Sequence, residues 1–335
     1  MSGQEPRTPL LAVRDLAVHF DAPHAASGVA RAVDGVGFEV GEGEVLALFG
    51  ESGSGKSVTA RAILGLIERP GRIVSGSIRF AGRELVGLAE PDYRRVRGRE
   101  IALVFQDPAA ALNPVLTLGE QLCEAPRAHL GLSAAAATER ATALLGELGF
   151  DGDSSWLARF PHQLSGGQRQ RAALAQALLC EPKLVLADEP TTALDPTLVA
   201  TVVELLRRRA RGVGVLWITH DLRVARSIAR RAVVLYAGRV VETGPLAELA
   251  RAPRHPYTRA LFDARPSATR RGSPLIAPLG SAGDPSAWPS GCRFHPRCPF
   301  ADAACAAVEP ALAFSLATDL DRGVACHHPL AGAER

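Results

Sequence analysis

One octet constrains this chain more than any other stretch. Gly50-Glu51-Ser52-Gly53-Ser54-Gly55-Lys56-Ser57 follows the apolar run VLALF and precedes SVTARAILGLI, whose apolar spacing is helical. Strand, glycine loop and helix in this order is the context that a phosphate-binding loop requires. The glycines let backbone N–H groups turn inward around phosphate oxygens. Lys56 reaches the terminal phosphates, the Ser57 hydroxyl can ligate Mg²⁺, and the helix that starts here adds its positive dipole end. Lys56 and Lys183 are the only lysines in a chain whose other basic residues are arginines.

Around the octet, short apolar runs alternate with helical spacing. LLAV, LAVHF, GVGFEV and VLALF in residues 9–49 predict strands, as do GSIRFAG and EIALVFQ. From Asp107 to about Phe160 the spacing turns helical, and GGQRQRAALAQALL, TLVATVVELLRRRA and LRVARSIARR predict further helices. LVLADEP and VGVLWITH predict buried strands, and RAVVLYAGRVVETG a hairpin turning at Ala237-Gly238. Such alternation implies an α/β fold with a mostly parallel sheet covered on both faces. The 335 residues exceed what one compact core usually holds, so a large domain with an appendage, or two domains, is expected. Hydrophobic content of 47% with 22% charged residues is that of a folded soluble protein, and a net charge of +3 makes only a weak case for nucleic acid. No run of eighteen apolar residues occurs, and MSGQEPRTPLL lacks the pattern of a signal peptide. The chain is therefore expected in the cytoplasm, with any membrane role coming through a partner.

Two more motifs lie downstream. In Leu184-Val185-Leu186-Ala187-Asp188-Glu189 an apolar strand delivers Asp188 at its C-terminal end, where ligands bind in such sheets. Asp188 would hold the Mg²⁺ shell, and Glu189 would orient and polarise the attacking water as general base. Between this strand and the octet stands Leu164-Ser165-Gly166-Gly167-Gln168. A serine and two glycines at a helix start make a second phosphate-binding surface. One nucleotide in one chain does not need two such surfaces, so the second suits a nucleotide held by another subunit.

These motifs, in this order, resemble the nucleotide-binding subunits of ABC transporters, over about Leu10 to Leu249. The resemblance implies a P-loop NTPase (RecA-like) core with an ABC antiparallel β subdomain and a helical signature subdomain. It identifies Gln106 in VFQDP with the glutamine that contacts metal and water, and Asp195 in TTALD with the D-loop aspartate. His220 in WITHD matches the switch histidine that braces the γ-phosphate, and Phe20 is the candidate for the aromatic that stacks on adenine. ATP would then be held by Phe20, Gly50, Ser52, Gly53, Ser54, Gly55, Lys56, Ser57 and Val58. Mg²⁺ would sit among Ser57, Gln106 and Asp188, with Glu189, His220 and Gln106 catalytic. Ser165, Gly166, Gly167, Gln168 and Asp195 would face a nucleotide shared with a second ATPase subunit, met head to tail. Two membrane permease subunits and an extracytoplasmic solute-binding protein are the further partners the resemblance implies. Nucleic acid is not among them, and the place is the cytoplasmic face of the membrane. A soluble ABC ATPase of DNA repair or translation usually carries a long coiled-coil insertion or tandem ABC domains, and this chain has neither.

Arg254-His255-Pro256-Tyr257-Thr258 resembles the HPYT segment of oligopeptide, dipeptide and nickel importer ATPases. By itself it is a proline-broken helix start from which no chemistry follows. Val58 is like the first of the two ATPases typical of these systems and LSGGQRQR like the second, which leaves the subtype open; the cargo, peptides or nickel or another small solute, is open too. Beyond the expected ATPase domain at 9–250 comes an extension at 251–335, with residues 263–291 rich in Pro, Ser, Gly and Arg. It holds Cys292, Cys298, Cys305 and Cys326 in the pattern C-x5-C-x6-C-x20-C. Clustered cysteines in a reducing compartment read as metal ligands before disulfides. Several family members carry a 4Fe–4S cluster at this position; four thiolates suit it, and they equally suit tetrahedral Zn²⁺, with His295, His327 and His328 as alternative ligands.

Overall fold

The computed structural model describes residues 8–107, 111–190, 204–205, 212–264, 280, 283–314 and 322–331. The chain divides into two compact units. One gathers Met1–Leu10, Val40–Val45 and Gly87–Ile218; the other gathers Leu11–Glu39, Leu46–Val86 and Thr219–Arg335.

In the latter unit the chain forms β1 (Leu11–Asp21) and β2 (Val29–Val40), then β3 (Val45–Phe49) running towards α1 (Lys56–Ile63), then β4 (Gly71–Phe80) and β5 (Arg83–Glu84). β2, β1, β4 and β5 lie side by side in that order, with β1 antiparallel to β4. Arg14 faces Ser77, Ala17 faces Ser75 and Val18 faces Ile73, so the register slips by one residue on β1, then by one on β4, and is restored; Asp15 in this irregularity has φ 48°. The two strands expected from LLAV and LAVHF are thus one bulged strand. The slip changes which side chains face inward there, and this breaks the alternation a single strand would show.

The other unit contains α2 (Glu90–Val96), β6 (Ile101–Val104), α3 (Leu118–Leu130), α4 (Ala134–Glu147), α5 (Gly166–Leu178), β7 (Leu184–Asp188) and β8 (Gly214–Ile218). β6, β7 and β8 are parallel neighbours. Every residue of β7 and β8 is buried, as parallel strands with both faces covered require. The helical stretch expected between Asp107 and Phe160 resolves into α3 and α4. Thr117 and Glu120 close a capping box at the start of α3, and the Ser133 hydroxyl caps α4. The helix expected from TLVATVVELLRRRA lies outside the described residues except Glu204 and Leu205, which are helical.

The rest of the chain adds α6 (Leu222–Ile228), β9 (Arg231–Tyr236), β10 (Arg239–Pro245), α7 (Leu246–Arg251), α8 (Pro256–Asp263), α9 (Ala303–Ala307), β11 (Ala313–Phe314) and β12 (Gly323–Val324). Neighbouring strands run in the order β11-β12-β10-β9-β3, with β9 parallel to β3 and the outer pairs antiparallel. The hairpin turns at Ala237 and Gly238, both left-handed, which is the twist-matched two-residue connection. Of the arm expected at 263–291, residues 265–279 and 281–282 lie outside the described set. Its end is bonded along the start of β2. Arg31 N–H donates to Pro285 O at 2.8 Å, and Trp288 Nε1–H donates to Arg31 O at 2.9 Å.

A buried charge ties β10, the approach to α8 and the approach to β12 together. Glu242 is wholly inaccessible to solvent. Its carboxylate accepts Arg254 N–H at 2.9 Å and His255 N–H at 3.0 Å, and pairs with the buried Arg322 at 3.2 Å. Removing one member of such a pair leaves the other charge buried without its counterion, at about 3–5 kcal/mol. Glu242→Ala should therefore lower the urea midpoint of the full chain by an amount equivalent to about 3–5 kcal/mol. Glu242→Leu combined with Arg322→Met should recover most of it; equal loss in the single and double variants would show that the charge pairing is not the cause.

Candidate functional site

β3 is buried from Leu46 to Phe49 and leads the chain into the glycine octet. Gly50 runs so close to the Leu235 carbonyl and Ser54 Oγ that a Cβ would collide with both, and at Gly55, where φ is 99°, a Cβ would stand 2.6 Å from Ala32 O. Larger residues fit neither place. Ser52 and Gly53 are exposed, Ser54 is buried, and Ser57 and Val58 are half-buried in the first turn of α1. Lys56 is buried, and its Nζ donates to Gly50 O at 2.9 Å, Glu51 O at 2.8 Å and Ser54 Oγ at 3.3 Å. The ammonium is thus held inside the loop, where it compensates carbonyl dipoles.

His220 lies in the same unit, exposed on the bend before α6. On one side Thr219 N–H donates to Leu48 O of β3 at 3.3 Å; on the other, Asp221 caps α6 by accepting Arg223 N–H at 2.8 Å. Phe20, near the end of β1, is half-buried, and its ring lies over Gly71, where any Cβ would strike it.

The other unit carries Asp188, Glu189, Gln106 and the serine-glycine motif. Asp188 closes β7 beside Ile218 of β8 and is buried. Glu189 follows with φ 46°, and its N–H donates to Ile218 O at 2.9 Å. A left-handed glutamate directly after a buried strand is a costly conformation of the kind that concentrates at reactive positions. Gln106 is exposed two residues past β6, next to the exposed Phe105. Ser165 is the N-cap of α5 and forms a reciprocal box with Gln168. Ser165 N–H donates to Gln168 Oε1 at 2.8 Å, and Gln168 N–H donates to Ser165 Oγ at 3.2 Å. Ser165 and Gly166 face solvent, Gly167 is half-buried, and a Cβ on Gly166 would meet nothing within 4 Å. Asp195 lies outside the described residues.

The four clustered cysteines meet. Cys292, Cys298, Cys305 and Cys326 line one small cavity with Phe294, and all are free thiols. Burial, and then the neighbouring thiols, push Cys292 and Cys298 up, and Cys326 to about 11. Backbone amides are aimed at three of the sulfurs: those of Phe294 and His295 at Cys292, that of Phe300 at Cys298 and that of His328 at Cys326. Each of the histidines named as alternative ligands has a hydrogen-bonding partner. His295 Nδ1 stands 2.9 Å from Cys292 O, His327 Nε2 2.8 Å from Val308 O, and His328 Nε2 2.8 Å from the Asp302 carboxylate. Asp302 also accepts Cys305 N–H at 2.9 Å.

Some of what organises these places carries no motif. Gln121, buried on α3, accepts Asn113 N–H at 2.7 Å and donates to Asn113 O, Leu116 O and Thr117 O. It thereby staples the loop that presents Val115, which is 75% exposed. Tyr257 of the HPYT segment does have chemistry, contrary to expectation: its hydroxyl accepts Glu51 N–H at 2.8 Å. Arg297 pairs with the Glu51 carboxylate at 2.9 Å. A buried glutamine in an amphipathic helix and a tyrosine after a proline give no signal that separates them from ordinary packing residues.

Comparison with known proteins agrees with this arrangement. Residues 33–192 match the family described as ABC transporter, and residues 241–305 match that described as oligopeptide/dipeptide transporter, C-terminal region. The dipeptide transport ATP-binding protein DppD of Escherichia coli K12 is 43% identical over 328 residues, 97% of this chain and 98% of that protein. The oligopeptide transport ATP-binding protein AppD of Bacillus subtilis is 44% identical over 284 residues, 84% of this chain and 87% of that protein. Among solved structures, an ATP-binding subunit of an ABC transporter superposes with a TM-score of 0.60 at 32% identity, covering 72% of this chain and 92% of its own. A dimeric ATP-binding cassette in a post-hydrolysis state with ADP and Pi gives 0.63 at 27% identity, covering 70% of this chain and 98% of its own. The glycine octet closed over Lys56, the aspartate-glutamate strand end, the exposed serine-glycine helix start and these matches together make the chain a member of the ABC transporter ATP-binding family, in its oligopeptide/dipeptide branch.

Proposed function

We propose that this chain is the ATP-hydrolysing subunit of an importer of peptides. The observation that carries the reading is the loop of Gly50–Ser57, folded with its lysine inside, together with a second anion-binding helix start at Ser165 left open to solvent. The names of the relatives support peptides as cargo.

On this reading Lys56 exchanges the Gly50 and Glu51 carbonyls for phosphate oxygens. Ser57 and Asp188 offer a hydroxyl and a buried carboxylate, the hard oxygen donors that suit Mg²⁺. With ATP bound, Mg²⁺ supplies neutralisation of phosphate charge. Glu189 takes a proton from the attacking water, Gln106 positions that water, and His220 braces the γ-phosphate. Phe20 stacks on the adenine. Ser165, Gly166, Gly167, Gln168 and Asp195 serve the nucleotide of a second ATPase subunit, so that closure of the pair completes each site. The exposed Phe105 and Val115 flank Gln106 in sequence and are the apolar contacts offered to the permease pair. No helix among the described residues is long and apolar enough to cross a membrane. On this reading the chain sits at the cytoplasmic face on that permease, which an external solute-binding protein supplies with cargo.

The four thiols fit a 4Fe–4S cluster. They are unbridged, share one cavity and receive backbone N–H groups that would stabilise thiolate charge. A bound cluster would cross-link Cys292, Cys298, Cys305 and Cys326 and so tie the C-terminal region together. Zn²⁺ is the alternative. The Asp302, Cys305 and His328 donors, which lie within 4.8 Å of one another, are the observation in its favour.

Glu189→Gln should keep ATP binding while cutting hydrolysis in the assembled transporter on the order of a hundredfold, and should trap a closed dimer. Near-normal turnover would remove Glu189 from the role of base. Ser165→Arg should leave ATP binding to the isolated chain intact and abolish ATP-driven dimerisation on gel filtration; dimer formation at the wild-type ATP requirement would contradict the shared site. Protein purified without oxygen should be brown, absorb broadly near about 400 nm and hold about four iron atoms per chain. Cys305→Ser should bleach it, whereas stoichiometric zinc with no iron would decide for zinc.

A further inference from the structure

Glu51, the second residue of the glycine octet, is held by three separate groups, two of them from the C-terminal region. Its carbonyl accepts Lys56 Nζ at 2.8 Å. Its N–H donates to the Tyr257 hydroxyl at 2.8 Å. Its carboxylate takes both arms of the Arg297 guanidinium, Nη1 at 2.9 Å and Nη2 at 3.2 Å. The Arg297 side chain is 8% exposed and that of Glu51 25%, so the pair is largely withdrawn from water. Arg297 further donates to the Tyr236 hydroxyl at 3.2 Å and to Gly280 O at 3.1 Å.

Neither holder is adjustable on its own. Arg297 ends the 3₁₀ turn His295–Arg297, which lies between Cys292 and Cys298. Cys292 O accepts His295 N–H at 2.9 Å, and His295 O accepts Cys298 N–H at 3.2 Å. The guanidinium therefore stands on a backbone turn closed at Cys292 and Cys298. Tyr257 is fully buried, its ring against Tyr236 at 4.5 Å and Phe294 at 5.5 Å between centroids. Phe294 belongs to the same cysteine turn and lines the thiol cavity. One aromatic cluster thus joins the HPYT helix, the cysteine turn and the end of β9.

We infer that Arg297 and Tyr257 are positioning residues of the phosphate loop, and that through them the cysteine region sets the nucleotide affinity of the loop. Two physical effects act together. The two contacts fix a residue whose carbonyl Lys56 must release before it can turn to a phosphate. Arg297 also cancels a carboxylate that would otherwise stand unpaired at the entrance of a site built for a polyanion. The inference rests on ATP binding at the Lys56 loop and not on which metal the thiols hold.

The test is titration of the full-length chain with the fluorescent analogue mant-ATP in the presence of Mg²⁺, beside steady-state hydrolysis by the assembled transporter. Wild-type binding that Lys56→Ala abolishes establishes the loop as the site; absence of wild-type binding would count against the functional reading and not against the link. With wild-type binding in hand, Arg297→Gln should raise Kd about tenfold, the worth of one uncompensated charge at this depth. Arg297→Lys, which keeps charge but not the fork, should raise it about threefold. Tyr257→Phe, which deletes only the hydroxyl, should raise it about threefold. The decisive variant is Arg297→Gln with Glu51→Gln, in which Kd should fall back from about tenfold to about threefold above wild type, because no carboxylate remains to repel the nucleotide and only the loss of the fork is left. In the transporter KM should follow Kd while kcat at saturating ATP stays within about twofold. Phe294→Ala, which removes the ring joining the cysteine turn to Tyr257, should raise Kd about threefold, as Tyr257→Phe does. An unchanged Kd in Arg297→Gln and Tyr257→Phe would overturn the inference. So would a double variant as weak as the single one, the mark of general unfolding, and so would Phe294→Ala with wild-type affinity.

Discussion

A carboxylate without access to water, Glu242, is the interaction on which much of the C-terminal architecture depends. Shut off from water, its two oxygens are satisfied by the two amides of Arg254 and His255 and the guanidinium of Arg322. Those three partners come from the approach to α8 and the approach to β12, so satisfying one charge fixes two segments on β10. With His255 fixed, its Nδ1 caps α8 by accepting Tyr257 N–H, and the Tyr257 hydroxyl comes to lie at Glu51. A polar requirement in the sheet is in this way converted into the position of a side chain at the phosphate loop.

The parts that could be read from the amino-acid sequence were those whose physics is local. The octet declares itself because strand, glycines, lysine and helix are consecutive, and the Ala237-Gly238 turn because two left-handed residues suffice to close a hairpin. The capping box at Ser165 is visible in four residues. What stayed hidden depends on partners far away in the chain. Tyr257 lies 206 positions from the amide it receives, and Arg297 lies 246 from the carboxylate it pairs with. The irregularity at Asp15 was misread as a break between two strands, because a slipped register and an interrupted strand give the same pattern of alternation. The convergence of four cysteines could be suspected from their crowding, but not the amides aimed at their sulfurs, since those depend on turns at Cys292, Cys298 and Cys326.

Two reactive elements are held in contrasting ways. Lys56 has three oxygens within reach of its ammonium, all from its own loop. Glu189 is under tension, left-handed at the end of a strand with no buried residue out of place. Strain at the residue proposed for proton transfer, beside a well-bonded residue proposed for phosphate binding, is the distribution expected where the position of a base is over-determined by the fold.

The staple made by Gln121 bears on how anything could settle on Val115. One amide side chain takes four backbone bonds from residues 113–117, leaving an apolar residue held out in water on a loop with little freedom left to lose. Ordering a loose segment at the moment of association opposes affinity. Here that entropy is surrendered when the chain folds, so a surface that covers Val115 meets a preorganised contact, and the desolvation of its side chain counts in full toward holding the two together.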